Sequence, residues 1–240
     1  MPGSTPSLGA VIVAAGSGER MGAIDKLFVS LAGRPLLAHA LAAFQQCPDV
    51  DRIVLVMAEA NLERGRELVA AHGFDKVAGF CAGGPRRQDS VRLGMEALGE
   101  CEWVAVHDGA RPLVTPGLIM RTLEAAQETG AAVPAAPLAD TIKEAGPEGL
   151  VERTLDRSRL WAAQTPQVFR HDLLLRAHRE VTADATDDAA MLEALGLPVK
   201  LFPGERTNIK VTTQDDLRLA EALLEARPPT SSPAGHRRLH

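Results

Sequence analysis

Leu8-Gly9-Ala10-Val11-Ile12-Val13-Ala14-Ala15 is an apolar run closed by Gly16. It is too short for a buried helix and carries Val11, Ile12 and Val13 in succession, so it reads as a central strand. Outward from it, short β-branched or Ala-rich runs alternate with longer helical patterns, the signature of βαβ units on a parallel sheet. Arg34–Gln46 spaces Leu37, Leu41 and Phe44 by four and three, as a helix does, and the strand Arg52–Ala58 (RIVLVMA) completes one unit. Leu62–Ala71 then predicts a helix, Lys76–Phe80 a strand, Asp89–Leu98 a helix and Trp103–Val106 a strand. Thr115–Glu128 is a further helix, with Thr115 as its cap and Pro116 in the first helical position.

After Gly130 the rhythm changes. Ala131–Ala135 is strand-like, but Leu138–Glu144 and Leu150–Leu155 alternate on either side of Gly146-Pro147-Glu148-Gly149, which predicts a hairpin leaving the main sheet. Leu160–Phe169 brings the chain back, and Asp172–Glu180 and Asp187–Leu195 are helical. Val199–Phe202 and Ile209–Val211 are short strands, and Thr213–Ala226 is a last amphipathic helix. The expected fold is α/β, a Rossmann-like, mostly parallel sheet with helices on both faces and a projecting β-hairpin arm. It forms one domain over residues 1–226 with the arm at about 137–158, and the Pro/Ser-rich stretch 227–240 is expected to be a disordered tail.

The 240 residues suffice for a large core, and 45% hydrophobic with 24% charged residues is ordinary globular composition. A net charge of −5 offers no basic field for a nucleic-acid backbone. Cys47, Cys81 and Cys101 are far apart and lack zinc-site or disulfide spacing, so they read as thiols of a reducing compartment. No run reaches the length of a membrane span, and the first nine residues lack a basic start followed by an apolar run. A cytoplasmic protein with no membrane and no nucleic-acid partner is expected.

The turn after the first strand, Ala14-Ala15-Gly16-Ser17-Gly18-Glu19-Arg20-Met21-Gly22, spaces its glycines one residue wider than the dinucleotide-binding pattern, and no acid follows at the ribose position. Nor does a Gly-Lys-Ser/Thr close it as a P-loop. What remains is a small-residue loop that exposes backbone N–H groups beside Arg20 and Lys26, able to wrap a triphosphate. A plain glycine-rich turn with two surface cations is the alternative.

Ala14-Ala15-Gly16 with Gly18, Arg20, Met21 and Lys26 resembles the signature of sugar-nucleotide pyrophosphorylases and cytidylyltransferases. Four later segments narrow the likeness: His107-Asp108-Gly109-Ala110-Arg111-Pro112, Trp161-Ala162-Ala163-Gln164-Thr165-Pro166-Gln167, Thr186-Asp187-Asp188 and Asn208-Ile209-Lys210-Val211-Thr212. In that order, from about Gly9 to Ala226, they resemble the 2-C-methyl-D-erythritol 4-phosphate cytidylyltransferases of the non-mevalonate isoprenoid pathway. The resemblance implies that CTP is held by Ala14, Ala15, Gly16, Gly18, Gly84 and Ser90, the last two in Gly83-Gly84-Pro85-Arg86-Arg87-Gln88-Asp89-Ser90. It implies Arg20, Lys26 and Lys210 as the catalytic cations, and Asp108, Arg111, Thr141, Arg157, Thr165 and Thr186 around a polyol phosphate. It also implies Mg²⁺ at Asp108 and a homodimer in which the arm supplies Arg157 to its neighbour.

Elementary chemistry agrees with several of these roles. Asp108 ends a strand, where open α/β sheets bind ligands, and Mg²⁺ needs only one or two carboxylates when phosphates supply the rest. His107 reads as structural, because an acceptor phosphate is already ionised at neutral pH and needs no general base. Pro85 has no N–H and cannot donate to a base. Lys210, in its expected strand, is costly to desolvate unless an anion neutralises it, with an edge-strand guard against aggregation as the plainer role. A ribitol 5-phosphate cytidylyltransferase would share the loop, the aspartate and CTP, and a non-catalytic nucleotide sensor would share the fold.

Overall fold

The computed structural model describes residues 7–16 and 26–227. The first strand, β1 (Leu8–Ala14), is followed by the two-residue strands β2 (Ser30–Leu31) and β3 (Arg34–Pro35), then α1 (Leu36–Gln46), β4 (Val50–Met57), α2 (Leu62–His72), β5 (Val77–Ala82), α3 (Arg87–Leu98) and β6 (Trp103–Asp108). Then come α4 (Pro116–Thr129), β7 (Ala131–Pro137), β8 (Lys143–Ala145), β9 (Val151–Thr154), β10 (Trp161–Ala163), β11 (Gln167–Arg170), α5 (His171–Glu180), α6 (Asp188–Ala194), β12 (Lys200–Pro203) and α7 (Gln214–Glu225).

Eight strands form the main sheet, running β5, β4, β1, β6, β11, β7 from one edge, with β12 and β10 also paired to β7. β5, β4, β1 and β6 are mutually parallel, β11 runs antiparallel to both β6 and β7, and β12 is parallel to β7. The chain steps from β1 outward to β4 and β5, then returns to place β6 on the other side of β1. The carboxyl ends of β1 and β6 therefore flank the point where strand order reverses, the crevice in which such sheets bind ligands.

β1 is buried on both faces, which is why its sequence shows no alternation. Ala10, Ile12 and Ala14 pack with α1 and α4 residues such as Leu37, Phe44 and Ile119, whereas Val11 packs with Val91 and Met95 of α3 and Leu192 of α6. α3 lies close on the sheet because Gly94 faces it: a Cβ there would sit 2.5 Å from Val11 Cγ1 and 2.7 Å from Val56 Cγ2. That contact fixes the start of α3 beside the carboxyl end of β1.

The expected alternation of strands and helices is present, with shifted ends. Pro35 holds Arg34 in extended backbone, so the first helix begins at Leu36. Thr115 caps α4 by accepting the Leu118 N–H at 3.1 Å. The returning stretch Leu160–Phe169 is two strands, interrupted where Thr165-Pro166 adopts a cis peptide. β8 and β9 pair only with each other, around the predicted turn.

One expectation is corrected. Ile209–Val211 is not a strand; the Val211 N–H donates to the Ala110 carbonyl at 2.8 Å, but no ladder follows. Between the turn at Arg206-Thr207 and the cap of α7 this stretch pairs with no strand, so Lys210 guards no sheet edge. The tail beyond Arg227 and the residues Gly18 and Arg20 lie outside the described residues.

Candidate active site

The crevice between β1 and β6 contains a cavity of about 390 Å³. Ala14, Ala15 and Gly16 form one wall and Gly84, Pro85 and Ser90 another, while Lys26, Asp108 and Lys210 lie along it. The two loops meet at Gly83, where a Cβ would stand 2.3 Å from Ala15 Cβ and 2.8 Å from Ser90 Oγ. Ser90 is buried, accepts the Gly84 N–H at 3.1 Å and donates to the Arg86 carbonyl at 3.2 Å. Its hydroxyl ties the loop together while still lining the cavity.

A second cavity, of about 260 Å³, is lined by Arg111, Thr165, Thr186, Gln164, Gln167 and Asp187. Arg87, Asp108 and Lys210 line both cavities. The two chambers thus share a charged wall.

Asp108 is the centre of that wall. Its Oδ2 is 2.7 Å from Lys210 Nζ and 4.0 Å from Arg111 Nε, and its Oδ1 accepts from Arg87 Nε at 3.3 Å. Burial pushes the carboxyl up, but Arg87, Lys210 and Arg111 outweigh it and hold Asp108 well below the usual carboxylate range. Lys210 is aimed there because its neighbours are tied down. Arg111 Nη1 donates to the Asn208 carbonyl at 2.8 Å, Asn208 Nδ2 donates to the Thr165 carbonyl at 2.8 Å, and Val211 is pinned to Ala110.

Thr165 and His107 support this wall from behind. The Asp108 N–H donates to Thr165 Oγ1 at 3.0 Å, and the same hydroxyl lies 3.1 Å from His107 Nδ1. Full burial pushes the His107 pKa down to about 4, so the imidazole is neutral at physiological pH. With its other nitrogen 3.2 Å from the Arg111 carbonyl, His107 is a packing element, as its chemistry suggested.

Of the predicted residues, Ala14, Ala15, Gly16, Lys26, Gly84, Ser90, Asp108, Arg111, Thr165, Thr186 and Lys210 line one or both cavities. Thr141 and Arg157 do not. Both are exposed on the segment that carries β8 and β9, and Arg157 donates to the Ala139 carbonyl. Sequence reasoning gave no role to Arg87 or Asp188. Arg87 is the first residue of α3, next to a loop already marked for the nucleotide. Asp188, Met191 and Leu192 are buried together on α6, so the helical period marked Asp188 as an acid facing inward.

Comparison with known proteins places this geometry. The family model for IspD, 2-C-methyl-D-erythritol 4-phosphate cytidylyltransferase, matches residues 8–226. The chain belongs to the 2-C-methyl-D-erythritol 4-phosphate cytidylyltransferase family. A cytidylyltransferase of this name from Dehalococcoides mccartyi strain 195 is 55% identical over 218 residues, covering 91% of this chain and 96% of the relative. The crystal structure of the cytidylyltransferase from Thermus thermophilus is 38% identical with a TM-score of 0.74, over 90% of this chain and 98% of that one. That of 4-diphosphocytidyl-2C-methyl-D-erythritol synthase from Anaerococcus prevotii is 28% identical with a TM-score of 0.80, over 92% and 100%. As expected for this cytidylyltransferase fold, the sheet is mostly parallel with helices on both faces. No helix among the described residues is long and apolar enough to cross a membrane.

Proposed function

We propose that the chain joins CTP to 2-C-methyl-D-erythritol 4-phosphate, giving 4-diphosphocytidyl-2-C-methyl-D-erythritol and pyrophosphate, at the wall shared by its two cavities. An oxygen of the acceptor phosphate bonds to the α-phosphorus of CTP in line. The bond from that phosphorus to the bridging oxygen of the β-phosphate breaks, and pyrophosphate leaves with the electron pair. The observation that carries this reading is that Arg87, Asp108 and Lys210 line both chambers. One chamber is floored by the glycine-rich nucleotide loop and the other by Arg111, Thr165 and Thr186.

The protein's contribution is to hold two mutually repelling anions in register and to stabilise charge that builds at the α-phosphorus. Lys26 and Lys210, both on the nucleotide cavity, flank that phosphoryl group, and Arg20 grips the β- and γ-phosphates. The backbone of the Gly83-Gly84 loop reads cytosine, with Pro85 offering no N–H. Arg111 and Thr186 hold the acceptor phosphate, with Thr165 behind them. No general base is required, and neutral, buried His107 offers none.

Among the described residues no three His, Cys, Asp or Glu side chains are grouped so that they could hold a metal ion by themselves. Asp108, a single ionised carboxylate on both cavities, still suits Mg²⁺, which keeps waters and takes its other ligands from phosphates. Bound there, Mg²⁺ would neutralise phosphate charge, and Lys210 would yield part of its hold on Asp108. The arm supports a homodimer in which Thr141 and Arg157 complete the partner's acceptor cavity. Three free cysteines accord with a cytoplasmic location.

The test is pyrophosphate release with CTP, Mg²⁺ and either 2-C-methyl-D-erythritol 4-phosphate or ribitol 5-phosphate, with EDTA as control. Metal-dependent release with the first acceptor alone supports the reading. Release with only the second moves the activity to another polyol phosphate, and CTP binding without release from either leaves a sensor.

A further inference from the structure

Asp188 is fully buried at the start of α6, lines neither cavity, and has no part in the transfer as described above. Its Oδ2 accepts from Arg87 Nη1 at 2.6 Å. Its other oxygen has no hydrogen-bond partner and faces His178 Nε2, likewise unpartnered, at 3.7 Å. Burial would raise the Asp188 carboxyl, yet Arg87, with His178 beside it, outweighs burial and holds the group below its ordinary value. A charge kept in so dry a place is costly unless paired, so Arg87 cannot swing away without stranding it.

Arg87 spends its other edge on the reaction site, donating Nε to Asp108 Oδ1 at 3.3 Å. A guanidinium can span two carboxylates in fixed directions, whereas a lysine ammonium is a single point charge on a flexible stem. The neighbours of Arg87 tighten the same joint. Gln88, itself buried, donates to the Ala183 carbonyl at 3.2 Å and accepts the Ala185 N–H at 3.0 Å, and Arg86 reaches the Thr182 carbonyl at 3.3 Å. Three consecutive residues at the start of α3 thereby fasten the nucleotide loop to the segment that carries Thr186.

We propose that Asp188 is a positioning residue for nucleotidyl transfer, acting through Arg87 by aiming its guanidinium at Asp108 and the junction of the two cavities. This rests on the transfer reading above. Arg87 then meets the phosphates where they approach, and Asp188 sets its direction from below without touching substrate.

The experiment is a double-mutant cycle of Asp188→Asn and Arg87→Met, read as kcat and KM in pyrophosphate release, with CTP binding measured by calorimetry. Asp188→Asn should lower kcat by about 100-fold, the scale of an ångström of misplacement, with CTP affinity unchanged. The double variant should be no slower than Arg87→Met alone, because both changes remove one unit. Losses that multiply in the double variant, or an Asp188→Asn enzyme with normal kcat, overturn the proposal. Should Asp188→Asn fail to fold, Arg87→Lys gives the same decision at a partly exposed site. It keeps the charge but cannot span both carboxylates, so its kcat should fall to the Arg87→Met level, and a wild-type kcat overturns the proposal. A wild-type enzyme that releases no pyrophosphate overturns the transfer reading itself, so the two failures are distinguishable.

Discussion

Lys210 Nζ stands 2.7 Å from Asp108 Oδ2, joining the segment before α7 to the end of β6 across the wall that both cavities share. The contact places an ammonium at the junction without a rigid strand behind it. Removing it leaves Asp108 still paired to Arg87 and Arg111. Lys210→Ala should therefore fold and bind CTP with little change while kcat falls about 100- to 1,000-fold, the scale of one lost charge-stabilising donor. Steady-state pyrophosphate release checks this, and near-normal turnover would remove Lys210 from the reaction.

His107 should make the fold acid-sensitive. Its folded pKa of about 4 lies below the usual 6.5, so the unfolded chain takes up the proton first. The stability it contributes is complete above pH 6.5 and is lost as the pH falls toward 4, by about 3 kcal/mol in all. Denaturant unfolding across that range should show the slope, and His107→Asn should flatten it. An equal slope in both proteins would assign the acid sensitivity to other groups.

Gly83 is where the two loops of the first cavity approach closely, because a methyl there collides with Ala15 Cβ and Ser90 Oγ. Overpacking of this kind costs about 1–3 kcal/mol. Gly83→Ala should push the two loops apart and weaken CTP binding by about tenfold or more. Calorimetric titration with CTP is the check; unchanged affinity would mean that the loops do not jointly hold the nucleotide.

How much of this was legible in the sequence differs by element. β1, β4 and β6 declared themselves because strands buried on both faces need unbroken apolar runs, and α4 because its cap and Pro116 carry local signals. Ile209–Val211 reads as strand in sequence but is none in the structure, since a β-branched pair flanking a lysine looks the same whether or not a partner strand lies alongside. Asp108 and Lys210 were found through their motifs, but their contact is a product of topology that no local pattern encodes. Arg87 and Asp188 were missed for a related reason: each looks ordinary alone, and only the packing of α3 against the segment before α6 makes them a pair.

The arm gives a prediction about subunits. If Arg157 completes the partner's cavity, Arg157→Ala and Lys210→Ala are each inactive alone, but a mixed dimer holds one site with both residues intact. Equal co-refolding should then restore roughly a quarter of wild-type turnover, since half the dimers are mixed and each has one working site. No recovery above the separate variants would keep Arg157 within its own subunit or outside the reaction.

The most direct measurement is a crystal structure with 2-C-methyl-D-erythritol 4-phosphate and a CTP analogue carrying a methylene bridge between the α- and β-phosphorus, which cannot release pyrophosphate. The account predicts the α-phosphorus beside Lys26 and Lys210, with the acceptor phosphate opposite it near Arg111 and Thr186, on the two sides of the Asp108 wall. An acceptor phosphate bound away from that wall, or an analogue whose α-phosphorus lies out of reach of Lys210, would contradict it.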